Sequence, residues 1–360
     1  MPEPATTDTP NPPDGAPGDP PGVRVAAVTA WMEANIPGAE GPLRFDLVAG
    51  GRSNFTYRVD DAAGNTFVLR RPPLGHLLPS AHDMGREFRI ISALGPTVVP
   101  VAPALGMCTD ESVADRPFYV MRFVDGHILR YVEDAAAFTE AQRATASESV
   151  VDVLADLHAL DPDAVGLGQL GKRDGYIERQ LKRWHTQFTQ SKTREVPLVD
   201  EVFERLRASI PEQQAVGIVH GDYRLDNTMV GDDGRIVAVL DWEICTLGDP
   251  LADVGLLMVY WPERTDVNLP LGAAATLADG FLSRKAMRDR YAARSPLDLS
   301  HLDYYVAFGY WKLACILDGV YTRYKTGGMA DDGFDFTTFG EQVHRLSEGA
   351  ASALETLGSK

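Results

Sequence analysis

The feature that most constrains this chain is a polar loop held between two apolar runs. Residues 219–227 read VHGDYRLDN: Val219 closes a hydrophobic run, then His220, Gly221 and Asp222 open a polar stretch that ends at Asn227. A GDDG turn follows, and RIVAVLDWE at 235–243 is a second short apolar strand, ending on Asp241. Any one of Asp222, Asp226 or Asn227 alone reads best as a turn former. A strand before, a strand after and a carboxylate at the end of the second predict side chains that converge.

Phosphoryl transfer asks a protein mainly for placement: a carboxylate to orient the attacking hydroxyl, and oxygen ligands to hold magnesium on the phosphates. Asp222 suits the first task, Asn227 and Asp241 the second. The pattern H-G-D-x-x-x-x-N keeps the Asp-to-Asn spacing of the kinase catalytic loop, with Gly221 where protein kinases carry Arg. His220 is expected to fix the loop's shape rather than move protons, and Asp226 to stabilise the turn.

Length and composition bound the rest. At 360 residues, with 44% hydrophobic and 24% charged residues, the chain can bury a sizeable core in one large or two fused lobes. A formal charge of −17 argues against nucleic acid as a partner, since phosphate backbones are gripped by clustered Lys and Arg. Cys108, Cys245 and Cys315 lie far apart with no zinc-like spacing and read as reduced structural thiols. With no signal-peptide pattern and no run of membrane-spanning length, a cytoplasmic protein without a membrane partner is expected.

Residues 1–22, rich in Pro, Gly, Asp and Thr, are expected to form a disordered leader. A helix is predicted from Val25 to Asn35, then three antiparallel strands in RFDLVAGG, FTYRVD and NTFVLR. A helix follows in SAHDMGREFRIISALG, with Ser80 as N-cap and Gly95 as stop, and a buried strand in RPFYVMRFVDG. From about residue 134 helices take over. Ala146, Val150, Val153, Leu154, Leu157 and Leu160 share one helical face, and 251–261 and 303–324 are strongly apolar helices. The expected fold class is α+β, two-lobed, with a small antiparallel-sheet N-lobe at 23–125 and a larger, mainly helical C-lobe at 126–360.

Together, VHGDYRLDN and AVLDWEICTLGDPLADVGLL resemble the aminoglycoside phosphotransferase and choline kinase-like superfamily, whose fold is similar to that of protein kinases. FVLRRPPLGHLLPSAHDMGREFRI, RQLKRWHTQFTQSKTR and GYWKLACILDGVYTRY resemble the branch related to phosphotransferase domains attached to some acyl-CoA dehydrogenases. The resemblance covers residues from about 25 to 350. It implies ATP and magnesium in a cleft, Asp222 as base, and Asn227 and Asp241 as metal ligands. AGGRSN, with Gly50, Gly51, Ser53 and Asn54, would cover the phosphates. Arg70 stands where the family has a phosphate-gripping lysine, a change from a compact ammonium to a fork, with Glu87 as its acidic partner. The backbones of Arg122 and Val124 would meet the adenine edge with Met121 behind. Asp249 and Asp253 would brace the catalytic loop, although Asp249 beside Pro250 reads equally as a helix-start residue.

The acceptor implied is a hydroxylated small molecule, with a CoA-linked hydroxyacyl group as one choice. Ile177, Leu181, Trp184 and Phe188 form an apolar stripe opposite Arg179, Lys182 and Arg183, and seven Lys or Arg residues fall between Lys172 and Arg194. In so acidic a chain that cluster could attract a polyanion. An aminoglycoside or amino-alcohol kinase is an alternative, and a nucleotide-binding regulatory pseudokinase, suggested by Arg70, is another. His158 reads as a core-edge histidine. Trp261, Trp311, Tyr304, Tyr305 and Tyr310 could pack the core or line an acceptor pocket.

Overall fold

A computed structural model describes residues 18–49, 54–74, 83–266, 274–327 and 336–358. The chain divides into two units, Met1–Gly95 with Ala102–Val124, and Pro96–Val101 with Asp125–Lys360.

The first unit runs α1 (Val25–Asn35), β1 (Arg44–Ala49), β2 (Phe55–Asp60), β3 (Thr66–Arg71), α2 (Met84–Leu94), β4 (Ala104–Cys108) and β5 (Phe118–Arg122). The strands form one antiparallel sheet in the order β1-β2-β3-β5-β4. Period-two alternation sets the register: Tyr57 pairs with Leu69 and Val59 with Phe67. All four face a core shared with Val28 and Met32 of α1.

β4 is an addition to the four strands the sequence predicts. Its ALGMC buries only Cys108 fully and carries an irregularity between Ala104 and Gly106, so its alternation is weak. Asp83, whose side chain accepts from Arg86 N at 3.0 Å, caps α2. The cap thus lies three residues past the predicted cap Ser80, which lies outside the described residues; Gly95 follows the helix's last turn. Of residues 18–22, expected within the leader, Pro21 is anchored through its carbonyl, which accepts from the Tyr57 hydroxyl at 2.6 Å, and Gly22 is buried beside Val23.

The second unit contains α3 (Val132–Ala135), α4 (Glu140–Ala159), α5 (Tyr176–Ser191), α6 (Pro197–Ala208), β6 (Gly217–Val219), β7 (Thr228–Val230), β8 (Ile236–Val239) and β9 (Thr246–Gly248). Four helices follow: α7 (Leu251–Val259), α8 (Arg284–Arg294), α9 (Leu302–Lys325) and α10 (Thr337–Gly358). A capping box of Thr139 and Gln142 starts α4, and Ala146, Val150, Val153, Leu154 and Leu157 are buried along it, with Leu160 half-buried just beyond its end.

Tyr304, Tyr305 and Trp311 of α9 are packing anchors with satisfied polar tips. Tyr304 donates to Leu206 O at 3.0 Å and Trp311 to Val199 O at 2.9 Å, both on α6. α9 also lies so close to α7 that a Cβ built on Gly255 would stand 2.4 Å from the carbonyl carbon of Tyr305. The three cysteines are free and buried. Among the described residues no helix is long and apolar enough to cross a membrane.

Candidate active site

Two minimal antiparallel pairs, β6 with β9 and β7 with β8, frame the polar loop. β6 delivers the chain to His220, where Asp253 of α7 takes over. Its Oδ2 accepts from His220 N at 2.6 Å and its Oδ1 from Gly221 N at 2.8 Å. Gly221 takes φ of +85°, a left-handed turn that suits glycine. The His220 ring continues the frame: Nδ1 accepts from Asp222 N at 3.2 Å, so Nε2 carries the proton given to Leu240 O at 2.8 Å.

Asp253 has a second tier behind it. His158 Nε2 stands 3.4 Å from Asp253 Oδ2, and its Nδ1 is 2.8 Å from the Tyr291 hydroxyl. Burial by itself would raise the Asp253 pKa, but the bonds and charge of His158, with those of the loop, hold it below the ordinary carboxylate value. Asp249 does not join this brace. It accepts from Leu251 N at 3.1 Å and from the Tyr305 hydroxyl at 2.6 Å, the helix-start reading, and burial pushes its pKa up.

Asp222 and Asn227 meet. Asn227 Nδ2 donates to Asp222 O at 2.8 Å and to Asp222 Oδ2 at 2.9 Å, which consumes both amide protons and leaves Oδ1 as the side chain's remaining polar atom. The hairpin sets Asp241 one residue past the backbone partner of Asn227: Thr228 pairs with Val239, and Leu240 N donates to Asn227 O at 2.8 Å. Asp241 has φ of +60°, and among the described residues it is the one non-glycine in the left-handed region. Backbone strain of this kind is held where surrounding contacts fix it and concentrates at functional sites.

Arg224 is a residue the sequence reading passed over. Its Nε lies 3.3 Å from Asp222 Oδ2 and its Nη1 2.8 Å from Asp226 Oδ2, while its guanidinium covers the Tyr260 ring at 4.9 Å. Asp226 is thus an ion-pair member as well as part of the turn. Burial raises its pKa, and the charge of Asp222 adds to this against the pull of Arg224. With Oδ2 of Asp222 engaged by Asn227 and Arg224, its Oδ1 is the oxygen left to face another molecule.

No group of three or more His, Cys, Asp or Glu residues among those described could hold a metal unaided. An amide oxygen and a carboxylate, from Asn227 and Asp241, are nevertheless the sparse hard-oxygen set that magnesium takes when phosphates and water supply its other ligands. The residues present therefore fit such an ion.

In the first unit Arg70 of β3 reaches Glu87 of α2, Nε to Oε2 at 3.0 Å. Glu87 is 2% exposed, so it sits on the buried face of α2 and not on a solvated one. Asn54, at the head of β2, is buried, while Gly51 and Ser53, like Gly50, lie outside the described residues. At the end of β5, Arg122 N is committed to Pro103 O at 2.9 Å, which leaves that residue's carbonyl. Met121 and Val124 are half-buried beside it.

Three of the seven cations of 172–194 are matched by acids. Arg173 pairs with Asp163 at 2.7 Å, Lys192 with Glu195 at 2.8 Å and Arg194 with Asp318 at 3.2 Å. Arg179 donates to Lys172 O at 2.8 Å, and Arg183 lies over the Trp184 ring at 5.0 Å. The net positive field expected from seven cations is correspondingly reduced.

Residues 45–293 match the model of the phosphotransferase enzyme family. The chain belongs to that family. Among its relatives is acyl-CoA dehydrogenase family member 10 of Mus musculus, 35% identical over 292 residues, a match that covers 80% of this chain and 27% of the mouse protein. The chain thus spans about a quarter of that relative's length. Among solved structures, a candidate aminoglycoside phosphotransferase from Ralstonia eutropha is 32% identical with a TM-score of 0.79, covering 92% of this chain and 98% of that one. The choline kinase of Cryptosporidium parvum, at 12% identity and a TM-score of 0.64, covers 92% of this chain and 96% of its own and shares the fold. The two-lobed, kinase-like α+β fold of this phosphotransferase follows from these likenesses.

Proposed function

We propose that this phosphotransferase moves the γ-phosphoryl group of ATP, with magnesium, to a hydroxyl of a small molecule, and that a hydroxyacyl-CoA is the acceptor. The carrying observation is the Asn227 amide. By giving both protons to Asp222 it fixes that carboxylate and leaves its own oxygen as the side chain's remaining polar atom. Asp222 Oδ1 then orients the acceptor hydroxyl and receives its proton as the new O–P bond forms and the bond to the β-phosphate oxygen breaks, releasing ADP. Asn227 Oδ1 and Asp241 would hold the cation, whose charge offsets that of the phosphate oxygens.

In the first unit, Arg70 would grip the phosphates in the lysine's place, steadied by Glu87, with Gly51, Ser53 and Asn54 covering them. The Arg122 carbonyl and Val124 amide would read the adenine edge against Met121. The buried Arg70 and Glu87 pair supports a retained phosphate-binding role over a regulatory pseudokinase. Support for the acceptor comes from the relative named as an acyl-CoA dehydrogenase family member and from the exposed cations Lys172, Lys182 and Arg183.

The test is ADP release from magnesium ATP with 4-hydroxyacyl-CoA esters of several chain lengths. Turnover is expected with the natural chain and a loss of at least about 100-fold with Asp222→Asn. Absence of turnover at every chain length would remove the acceptor assignment. Equal activity in the variant would remove Asp222 from its role.

A further inference from the structure

Lys312 of α9 has a side chain only 5% exposed, yet it ends in an ammonium. That ammonium donates to Gly221 O at 2.7 Å, and among the described residues it forms no ion pair with a carboxylate. Across the other side lies the Trp184 ring, 5.9 Å away. Its neighbours Trp311, Leu313, Ala314 and Cys315 are buried and mostly apolar, so packing alone would be met by methionine at this position. A cation withdrawn from water with one neutral partner is costly. Burial accordingly lowers its pKa, opposed by the charges of Asp222 and Asp253 and reinforced by that of Arg183.

Gly221 O belongs to the peptide that leads directly into Asp222. The amide end of that peptide is the Asp222 N–H held by His220 Nδ1, and the carbonyl end is the one held by Lys312. The preceding peptide is held by Asp253 through Gly221 N. The plane that sets where the Asp222 side chain points is therefore pinned at both ends, one of them by a side chain 91 residues away in sequence.

We infer that Lys312 is a positioning residue for phosphoryl transfer: its ammonium fixes the Gly221–Asp222 peptide and thereby aims Asp222 Oδ1 at the acceptor. This rests on the role proposed for Asp222. Lys312 acts through the carbonyl it holds. The geometry demands a strong donor at that carbonyl, and a charged one gives the shortest and least yielding bond.

The test compares Lys312→Met, which removes the donor, with Lys312→Gln, which keeps a neutral one. Both are first checked for cooperative thermal unfolding. With magnesium ATP and water as the acceptor, kcat for ADP release is expected to fall about 10- to 100-fold in Lys312→Met, with KM for magnesium ATP within about twofold and partial recovery in Lys312→Gln. Amide hydrogen exchange supplies a readout independent of turnover: in Lys312→Met the amides of 220–223 should exchange at least about tenfold faster while those of α9 do not. An unchanged kcat, or a KM that rises in step with the loss of kcat, would overturn the inference. If the natural chain releases no ADP to water, the exchange rates alone decide whether Lys312 holds the loop, and the phosphotransferase reading is judged separately by the hydroxyacyl-CoA assay. Unchanged rates there would overturn the inference.

Discussion

Asp253 and Asp249 are both buried carboxylates of one short stretch, and converting each to its amide should have very different effects. Asp253 receives three donors, the His220 amide at 2.6 Å, the Gly221 amide at 2.8 Å and His158 Nε2 at 3.4 Å. Asparagine offers one acceptor oxygen and one amino group, so in Asp253→Asn a donor must face a donor. One buried backbone N–H left unmet costs about 1–3 kcal/mol. Losing the charge-assisted strength of the remaining bonds brings the expected total to about 3–5 kcal/mol, the range seen when one member of a buried ionic group is removed. In Asp249→Asn the oxygen can keep Leu251 N while the Tyr305 hydroxyl rotates to accept, so about 1 kcal/mol is expected. Urea unfolding, read as a change in midpoint at constant slope, measures both.

The pH dependence separates them again. The Asp253 pKa is depressed on folding, so its contribution is complete above the unfolded carboxylate value near 3.8 and is lost as pH falls through the lower folded value. The Asp249 pKa is raised, so the folded state takes up its proton first and the natural chain gains on Asp249→Asn as the solution is acidified toward 3.8. Equal destabilisation by the two variants, or an Asp253→Asn unfolding free energy within about 1 kcal/mol of the natural chain's, would refute the assignment of Asp253 as the loop's brace.

Two further outcomes are expected. Gly255→Ala would push a methyl carbon to 2.4 Å from the Tyr305 backbone and should destabilise by about 1–3 kcal/mol or more in the same unfolding assay, with no change in the fold's helix content. Asp241→Asn keeps a residue type that tolerates φ of +60°, so stability should stay within about 1 kcal/mol while ADP release falls at least about 100-fold, because a hard cation loses its charged oxygen.

Much of the polar loop was legible because its contacts are local. Asp222 and Asn227 are five residues apart, and the strands on either side announce themselves by apolar runs, so their meeting needed only a turn. The α4 face and the β2 and β3 alternation were readable for the same reason, since period and burial coincide there. What the sequence withheld depends on long-range partners. His158, read as a core-edge residue, reaches Asp253 across 95 positions, and Lys312 reaches Gly221 across 91. The cations of 172–194 looked like a field source until Asp163, Asp200 and Asp318 were seen beside Arg173, Lys192 and Arg194. Arg224 could have been found: a guanidinium two residues from each of two carboxylates in a tight loop has little else to bind.

The six residues Pro96–Val101 belong with the second unit although the chain on both sides of them belongs with the first. Pro100 O accepts from Val239 N at 2.8 Å, at the end of β8 and two positions before Asp241. A chimera that exchanged everything before residue 125 for the matching part of a relative would therefore import a foreign hexapeptide as the outer support of this chain's own hairpin. Grafts that transplant the sheet but leave this hexapeptide native should inherit the recipient's alignment at Asp241, and grafts that move it should inherit the donor's.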